Sequence, residues 1–208
     1  MLLSAIYYFC TNYNTIMMDD SFIPYSSLII KKLETFKDRK AKNVFLESVM
    51  DDNRAELLNE VNGNKTTLFV GSKGPKTSTW EQTKQMAFEL NEAGIDVAFL
   101  PEHESLSSTD SLLRIGKIFK LADFKYCVTV KPNTLAKQLE HGFTQANTIV
   151  LKLTQMDTGQ FVEAIDYLVR NEIHYGNLIV LNKYGKSLTI NYKDIKNKGY
   201  VRKTKGFL

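Results

Sequence analysis

Residues 109–126, TDSLLRIGKIFKLADFKY, form the most informative run in the chain. Two apolar-rich segments, 111–115 and 118–126, flank Gly116-Lys117. A two-residue turn that begins with glycine suits a tight β-hairpin. A turn at 116–117 sets the pairing: Arg114 faces Phe119, Leu112 faces Leu121 and Asp110 faces Asp123. Lys125 lies two residues beyond Asp123 and so points to the same face. Directly opposed strand positions have Cβ atoms about 4.5–5.5 Å apart. Two carboxylates held that close repel unless a cation lies between them, and either a divalent metal or the Lys125 ammonium answers the need. The whole reading hangs on register, because a slip of one residue sends the two acids to opposite faces.

Downstream, the second strand runs to Val130 and is broken by Lys131-Pro132-Asn133. Thr134 is placed to cap a helix over 135–146, with Leu135, Leu139 and Phe143 on one side and Gln138 and Gln145 along it. Residues 148–153, TIVLKL, are nearly continuous in apolar character, the pattern of a buried central strand. Upstream, 66–70 (TTLFV) is a short strand, and 71–79 (GSKGPKTST) is a loop without the G-x-x-x-x-G-K-[ST] spacing of a P-loop. Its Lys73 and Lys76 are candidates to face a substrate backbone. The clearest helix is 79–93, with Trp80, Thr83, Ala87 and Leu90 on one face, Thr79 as cap and Gly94 as the terminating glycine. It carries Glu81 in its first turn and Glu89 at the border of its apolar face. Residues 95–100, IDVAFL, make a strand stopped by Pro101. Glu102, His103 and Glu104 follow, but neighbours on an extended chain point opposite ways and do not chelate together, which leaves Glu102 alone as a candidate.

The 208 residues fit one large domain, or one domain with an extension, and 43% hydrophobic content is enough for a core. The net charge of +4 is compatible with a polyanionic partner. Cys10 and Cys127 are far apart, which excludes a disulfide framework and a zinc spacing, and the default compartment is a reducing cytoplasm. His103, His141 and His174 stand alone and read as surface or partly buried residues. Residues 1–10 are too short a run to span a bilayer and lack a basic leader region, so no membrane span is expected. Residues 1–16 are either an upstream extension before a start at Met17 or Met18, a loosely held segment, or an N-terminal strand or anchor. Helices are expected over 26–40 and 44–59, so that 1–65 reads as an N-terminal helical extension and 66–192 as the α/β domain. A basic cluster, KDRKAK at 37–42, reads as a solvated turn or as a phosphate contact. The expected elements after 153 are a helix over 157–171 and strands over 178–182 and 187–192. The tail, 193–208, is strongly basic; it is either frayed, or grips nucleic-acid backbone through residues such as Lys203 and Lys205.

The constellation Thr109-Asp110 and Asp123-Phe124-Lys125 resembles the signature of the PD-(D/E)XK nucleases, with Thr where that motif has Pro and Asp where it more often has Glu. The order helix, strand, hairpin, helix, strand is the αβββαβ order of that restriction-endonuclease-like fold, a central mixed sheet flanked by helices, and the acids fall at the matching point in it. This agreement in order weighs more than the motif, since 24% of the chain is charged and D…D-x-K is short. Within the class, GIDVAFLPE, TDSLLRIGKIFKLADFK, Gln138 and QANTIVL resemble the C-terminal nuclease domains of CdiA-type contact-dependent growth inhibition toxins and their prophage and mobile-element relatives, over roughly residues 66–181.

That resemblance implies a metal-dependent nuclease, in several relatives a tRNase, with an immunity protein as partner and delivery as a toxin domain or packaging with a phage-like element. Asp110, Asp123, Lys125 and Gln138 take the catalytic positions. Mg²⁺ or Mn²⁺ is held by Asp110 and Asp123, and a helical acid, Glu81 or Glu89, completes the site. Such chemistry needs these residue types: carboxylate oxygens hold the metal, the metal activates water, and lysine orients that water and offsets developing charge. Two other readings stand beside it. One is a non-catalytic nucleic-acid-binding or structural protein of a mobile element with a decayed site. The other is a metal-independent ribonuclease of the barnase/EndoU/RelE kind, which relies on His, Lys, Arg and Thr groups.

Overall fold

The computed structural model describes residues 32, 34–51, 55–69, 79–100 and 111–208. Along them the chain forms α1 (Arg39–Met50), β1 (Ala55–Val61), β2 (Asn64–Phe69), α2 (Trp80–Glu92), β3 (Ile95–Phe99), β4 (Ser111–Ile115) and β5 (Ile118–Cys127). There follow α3 (Pro132–Gln145), β6 (Thr148–Leu153), α4 (Thr158–Arg170), β7 (Asn177–Leu181), β8 (Ser187–Ile190), α5 (Tyr192–Lys196) and α6 (Gly199–Thr204). The strands lie in one sheet in sequence order, β1 to β8. Pairs β2–β3, β5–β6 and β6–β7 are parallel and the others antiparallel. The fold class is thus the expected one, a mixed α/β sheet flanked by helices, and α2-β3-β4-β5-α3-β6 follows the αβββαβ order.

The hairpin forms in the register its turn implies. Gly116 takes φ +58, Ile115 pairs with Ile118, Arg114 with Phe119, and Leu112 with Leu121. Side chains then alternate between two faces. On one, Val97, Phe99, Leu113, Ala122, Phe124 and Val150 pack beneath Met86, Ala87 and Leu90 of α2. On the other, Ala98, Leu100 and Leu112 lie beneath Phe45, Leu46, Val49 and Met50 of α1. Further along this second face, Ile149, Leu151, Leu178 and Val180 lie beneath Leu135, Leu139 and Phe143 of α3 and Phe161, Ile165 and Leu168 of α4. Two helices, α1 and α3, therefore share one face, and each packs on part of β5.

The N-terminal region departs from expectation. The helix expected over 44–59 ends at Met50, and Ala55–Val61 and Asn64–Phe69 are strands of the sheet. The cause is Asn62-Gly63: both residues take positive φ, 52° and 79°, and Val61 pairs with Asn64. That is the geometry of a two-residue type I′ hairpin, for which Asn-Gly is the strongest short signal, so it joins two strands rather than ending a helix. Residues 55–65 consequently belong to the sheet rather than to a helical extension, since the first strand starts at Ala55. Of the helix expected over 26–40, residues 26–31 and 33 lie outside the described residues, as does the segment 1–16. The basic cluster straddles a helix start, where Asp38 Oδ2 accepts from the Ala41 amide at 2.9 Å. In α3 the N-cap is Lys131, with Pro132 in the first turn, so Thr134 is already inside the helix; proline is preorganised for that position.

The basic tail is folded. Its two short helices pack back on α4; Tyr200 is fully buried and its hydroxyl donates to Asp166. Lys203 Nζ lies 2.7 Å from Asp194 Oδ2 and donates to the Thr189 carbonyl, which fixes it within the tail. Asp194 also accepts from the Asn191 amide in the capping box of α5. Partial burial pushes the Asp194 carboxyl up, but the Lys203 ammonium and the Asn191 amide outweigh it, and the group titrates below its ordinary 3.8. A depressed carboxylate stabilises the fold above its unfolded value and loses that contribution as pH falls through the folded one. Asp194→Asn is therefore expected to lower stability at pH 7 and to remove part of the acid sensitivity below about pH 4. Urea unfolding of native and variant chains between pH 7 and 3 checks this; parallel curves over the whole range would contradict it.

Candidate functional site

β5 changes partner midway. Residues 118–122 pair with β4, and Asp123–Cys127 pair with β6. Asp123 is thus the first residue past the point where β5 leaves one neighbour and joins the next. Along the α1/α3 face of β5, Phe119 and Leu121 pack under α1 and Cys127 under α3, while Asp123 and Lys125 lie between them in sequence and meet α3 at Gly142 and Gln145.

Asp123 is 2% exposed. A buried carboxylate persists as an ion only with a partner, and Lys125 Nζ is 2.7 Å from its Oδ2. The Lys125 side chain retains 21% exposure, so the pair is anchored inside and reachable from solvent at its cationic end. Lys125 also donates to Gln145 Oε1 of α3 at 3.3 Å.

The helix comes unusually close here. A Cβ on Gly142 would sit 2.8 Å from Ile149 Cδ1, 3.0 Å from Asp123 Oδ2 and 3.2 Å from Lys125 Cε. Gly142 is therefore the point of contact between α3 and the acid–lysine pair. Gln138 is four residues before it and Gln145 three after, spacings that put all three on one helical face. The Gln138 Oε1 atom is buried without a hydrogen-bond partner among the described residues. An orphaned buried acceptor of this kind costs about 1–3 kcal/mol, and Gln138 lies one helical turn before Gly142, which abuts the carboxylate.

The other expected site residues fall as follows. Asp110 lies outside the described residues; the hairpin pairing is seen up to Ser111 and Ala122. Lys73, Lys76, Glu102, His103 and Glu104 also lie outside them. Neither acid of α2 is brought to Asp123. Glu81 is 80% exposed and paired with Lys84 on its own helix at 2.8 Å. Glu89 binds Lys152 through both oxygens, at 2.7 and 2.8 Å, on the opposite face of the sheet. The physical reason is that α2 covers one face and α3 the other. Lys203 is held by Asp194, and Lys205 is exposed. A second acid–base cluster, Arg114 with Asp96 at 2.7 Å and Asp51 at 3.5 Å, clamps β3, β4 and the end of α1 at the far end of the hairpin. Burial lowers the Arg114 guanidinium, but the two carboxylates outweigh that and its net shift is upward.

A hard divalent cation such as Mg²⁺ takes oxygen ligands, with one or two carboxylates and several waters. Asp123 offers one carboxylate and Gln138 an unpartnered oxygen, a donor set of the right chemistry. Among the described residues no three His, Cys, Asp or Glu side chains cluster to hold a metal by themselves. Gly142 is the site residue that sequence reading missed. Its signal was a glycine in a helix interior, which costs about 1 kcal/mol against alanine and calls for a reason.

No family model and no curated protein matches the chain. Among solved structures it is similar to a CdiA-CT/CdiI toxin and immunity complex from Burkholderia pseudomallei, at 21% identity and a TM-score of 0.43, covering 56% of this chain and 91% of that one. At that identity and score nothing about activity carries over. Among the described residues no helix is long and apolar enough to cross a membrane.

Proposed function

We propose that this chain is a divalent-metal-dependent nuclease that hydrolyses phosphodiester bonds in RNA, tRNA in particular, or in DNA. The observation that carries the reading is the buried Asp123 carboxylate paired at 2.7 Å with the solvent-reaching Lys125, beneath the close approach of α3 at Gly142. Asp123, with Asp110 and the Gln138 oxygen, would hold Mg²⁺ or Mn²⁺. When bound, such an ion polarises a phosphoryl oxygen and acidifies a water. Lys125 presents its ammonium toward solvent, where it orients the attacking water and offsets charge on the phosphate. Gln145 fixes the lysine head, and the apolar packing of Ile149 and Leu151 excludes water from behind the pair.

Lys125→Met is expected to reduce cleavage of tRNA or duplex DNA about 10²–10³-fold, the usual cost of one preorganised charge-stabilising donor. Gln138→Leu is expected to reduce it less, about tenfold, and to leave the melting temperature at or above native because it removes an orphaned acceptor. Cleavage rates normalised to the folded fraction check both. A Lys125→Met variant that melts lower yet cuts normally would reduce the pair to a structural role. The reading includes an immunity protein as partner and delivery as a toxin domain, both carried by the resemblance of residues 66–181. An immunity protein that blocks the centre will shield Lys125 from amine-reactive labelling; labelling at the free-protein rate in the complex would place its contact elsewhere.

A further inference from the structure

The geometry points to a stacking platform for an unpaired nucleobase, formed by Tyr192 on Tyr175, on the sheet edge where β6 and β7 begin and on the same side of the sheet as the Asp123–Lys125 centre. This rests on the nuclease reading and names how the substrate is gripped. The two phenol rings stack with centroids 5.3 Å apart and planes at 25°. Tyr175 is half-buried against the α3/α4 core, whereas Tyr192 is 47% exposed. An exposed aromatic is common, but this one is held rigid. Tyr192 opens α5 behind the Asn191–Asp194 capping box, and its amide donates to Asn177 Oδ1 at 3.2 Å.

The platform is tied to the site through the edge where β6 and β7 begin. Lys125 bonds Gln145, and two residues on, Asn147 lies 3.4 Å from His174 Nε2 and accepts from the Asn177 amide at 2.9 Å. Gly176 packs so tightly on Asn147 that a Cβ there would lie 2.1 Å from its carbonyl oxygen. One row across the sheet links the two: Asp123 pairs with Ile149, Ile149 with Leu178, and Leu178 with Ile190, two residues before Tyr192. Three strand spacings put Ile190 about 14 Å from Asp123, and the two further residues put Tyr192 about 16 Å away, a span of a few nucleotides. Ile195 of α5 packs into the same core as α3, so Tyr192 lies on the face that carries Asp123. Every base has a π-face, so a tyrosine stack grips single strands with little sequence preference. The adjoining exposed Lys193 suits the phosphate backbone.

The test is fluorescence anisotropy of labelled 12-residue single-stranded RNA, single-stranded DNA and duplex DNA with the full chain in EDTA, comparing native, Tyr192→Ala and Tyr192→Trp. Tyr192→Ala is expected to weaken single-strand binding about 5- to 100-fold; Tyr192→Trp is expected to retain it, with duplex affinity unmoved. A larger loss for RNA than DNA, or the reverse, identifies the source of the base. Equal single-strand affinity for Tyr192→Ala and native, equal weakening for single strands and duplex, or no binding of single strands by the native chain overturns the platform. The nuclease reading fails on a different observation, cleavage that is unchanged in Asp123→Asn, whatever Tyr192 does.

Discussion

Asp123→Asn is expected to lower phosphodiester cleavage at least about 10³-fold while the chain stays folded. A metal and the carboxylate that holds it contribute several kcal/mol to the transition state, and each 1.36 kcal/mol is about tenfold in rate. Asparagine keeps the shape and therefore opens no cavity. It leaves Lys125 without its partner at 2.7 Å, but that side chain is 21% exposed and its ammonium turns to water. The stability cost is thus nearer the ~1 kcal/mol of a surface pair than the ~3–5 kcal/mol of a charge stranded in the interior. For a chain of this length ~1 kcal/mol moves the melting temperature by about 2–4 °C. The combination is the signature: rate lost, fold kept. Cleavage rates beside a thermal melt check it, and a variant within tenfold of native activity would remove Asp123 from the chemistry.

Gly142→Ala is expected to separate packing from catalysis, with a large loss of rate and a small loss of stability. Alanine is the better helix former by about 0.8–1.0 kcal/mol. Against that, its methyl would meet Ile149 Cδ1 at 2.8 Å, Asp123 Oδ2 at 3.0 Å and Lys125 Cε at 3.2 Å, and overpacking a core costs about 1–3 kcal/mol. The two terms nearly cancel, so the net destabilisation is expected to stay below about 2 kcal/mol. The activity does not cancel, because two of the three atoms that must yield belong to the acid–lysine pair. Misplacing a reacting group by ~1 Å costs about 10²-fold, and a fall of that size is expected in kcat, with KM little changed. Kinetics and urea unfolding on the same preparation check it. A large stability loss with kcat intact would mean that α3 moves and the pair does not.

Much of this arrangement was legible in the residues. The glycine of the 116–117 turn and the two-residue period of a strand placed the hairpin register, and with it the shared face of Asp123 and Lys125. Apolar spacing located α2, α3, β6 and α4 to within a few residues. The first hairpin was missed because Asn62-Gly63 also resembles a helix stop; only the pairing of Val61 with Asn64 shows which it is. The misplaced acids of α2 have a deeper cause. Helical periodicity reveals which side of a helix meets the sheet, but not which face of the sheet the helix covers, and that alone separates Glu89 from Asp123. Gly142 was hidden for a similar reason, since the approach of α3 to β5 depends on how far two packed layers stand apart. The folded tail was masked by its charge: exposed lysines surround a small buried set, Ile195, Tyr200 and Thr204.

The most direct test of the metal-dependent nuclease is to incubate the native chain with tRNA and with duplex DNA in Mg²⁺, in Mn²⁺ and in EDTA. The account predicts cutting of at least one polymer with metal and none in EDTA, with the polymer that is cut naming the substrate. Cutting that survives EDTA would move the chemistry to a metal-independent site. No cutting under any condition would leave a nucleic-acid-binding protein with a decayed centre and contradict the account.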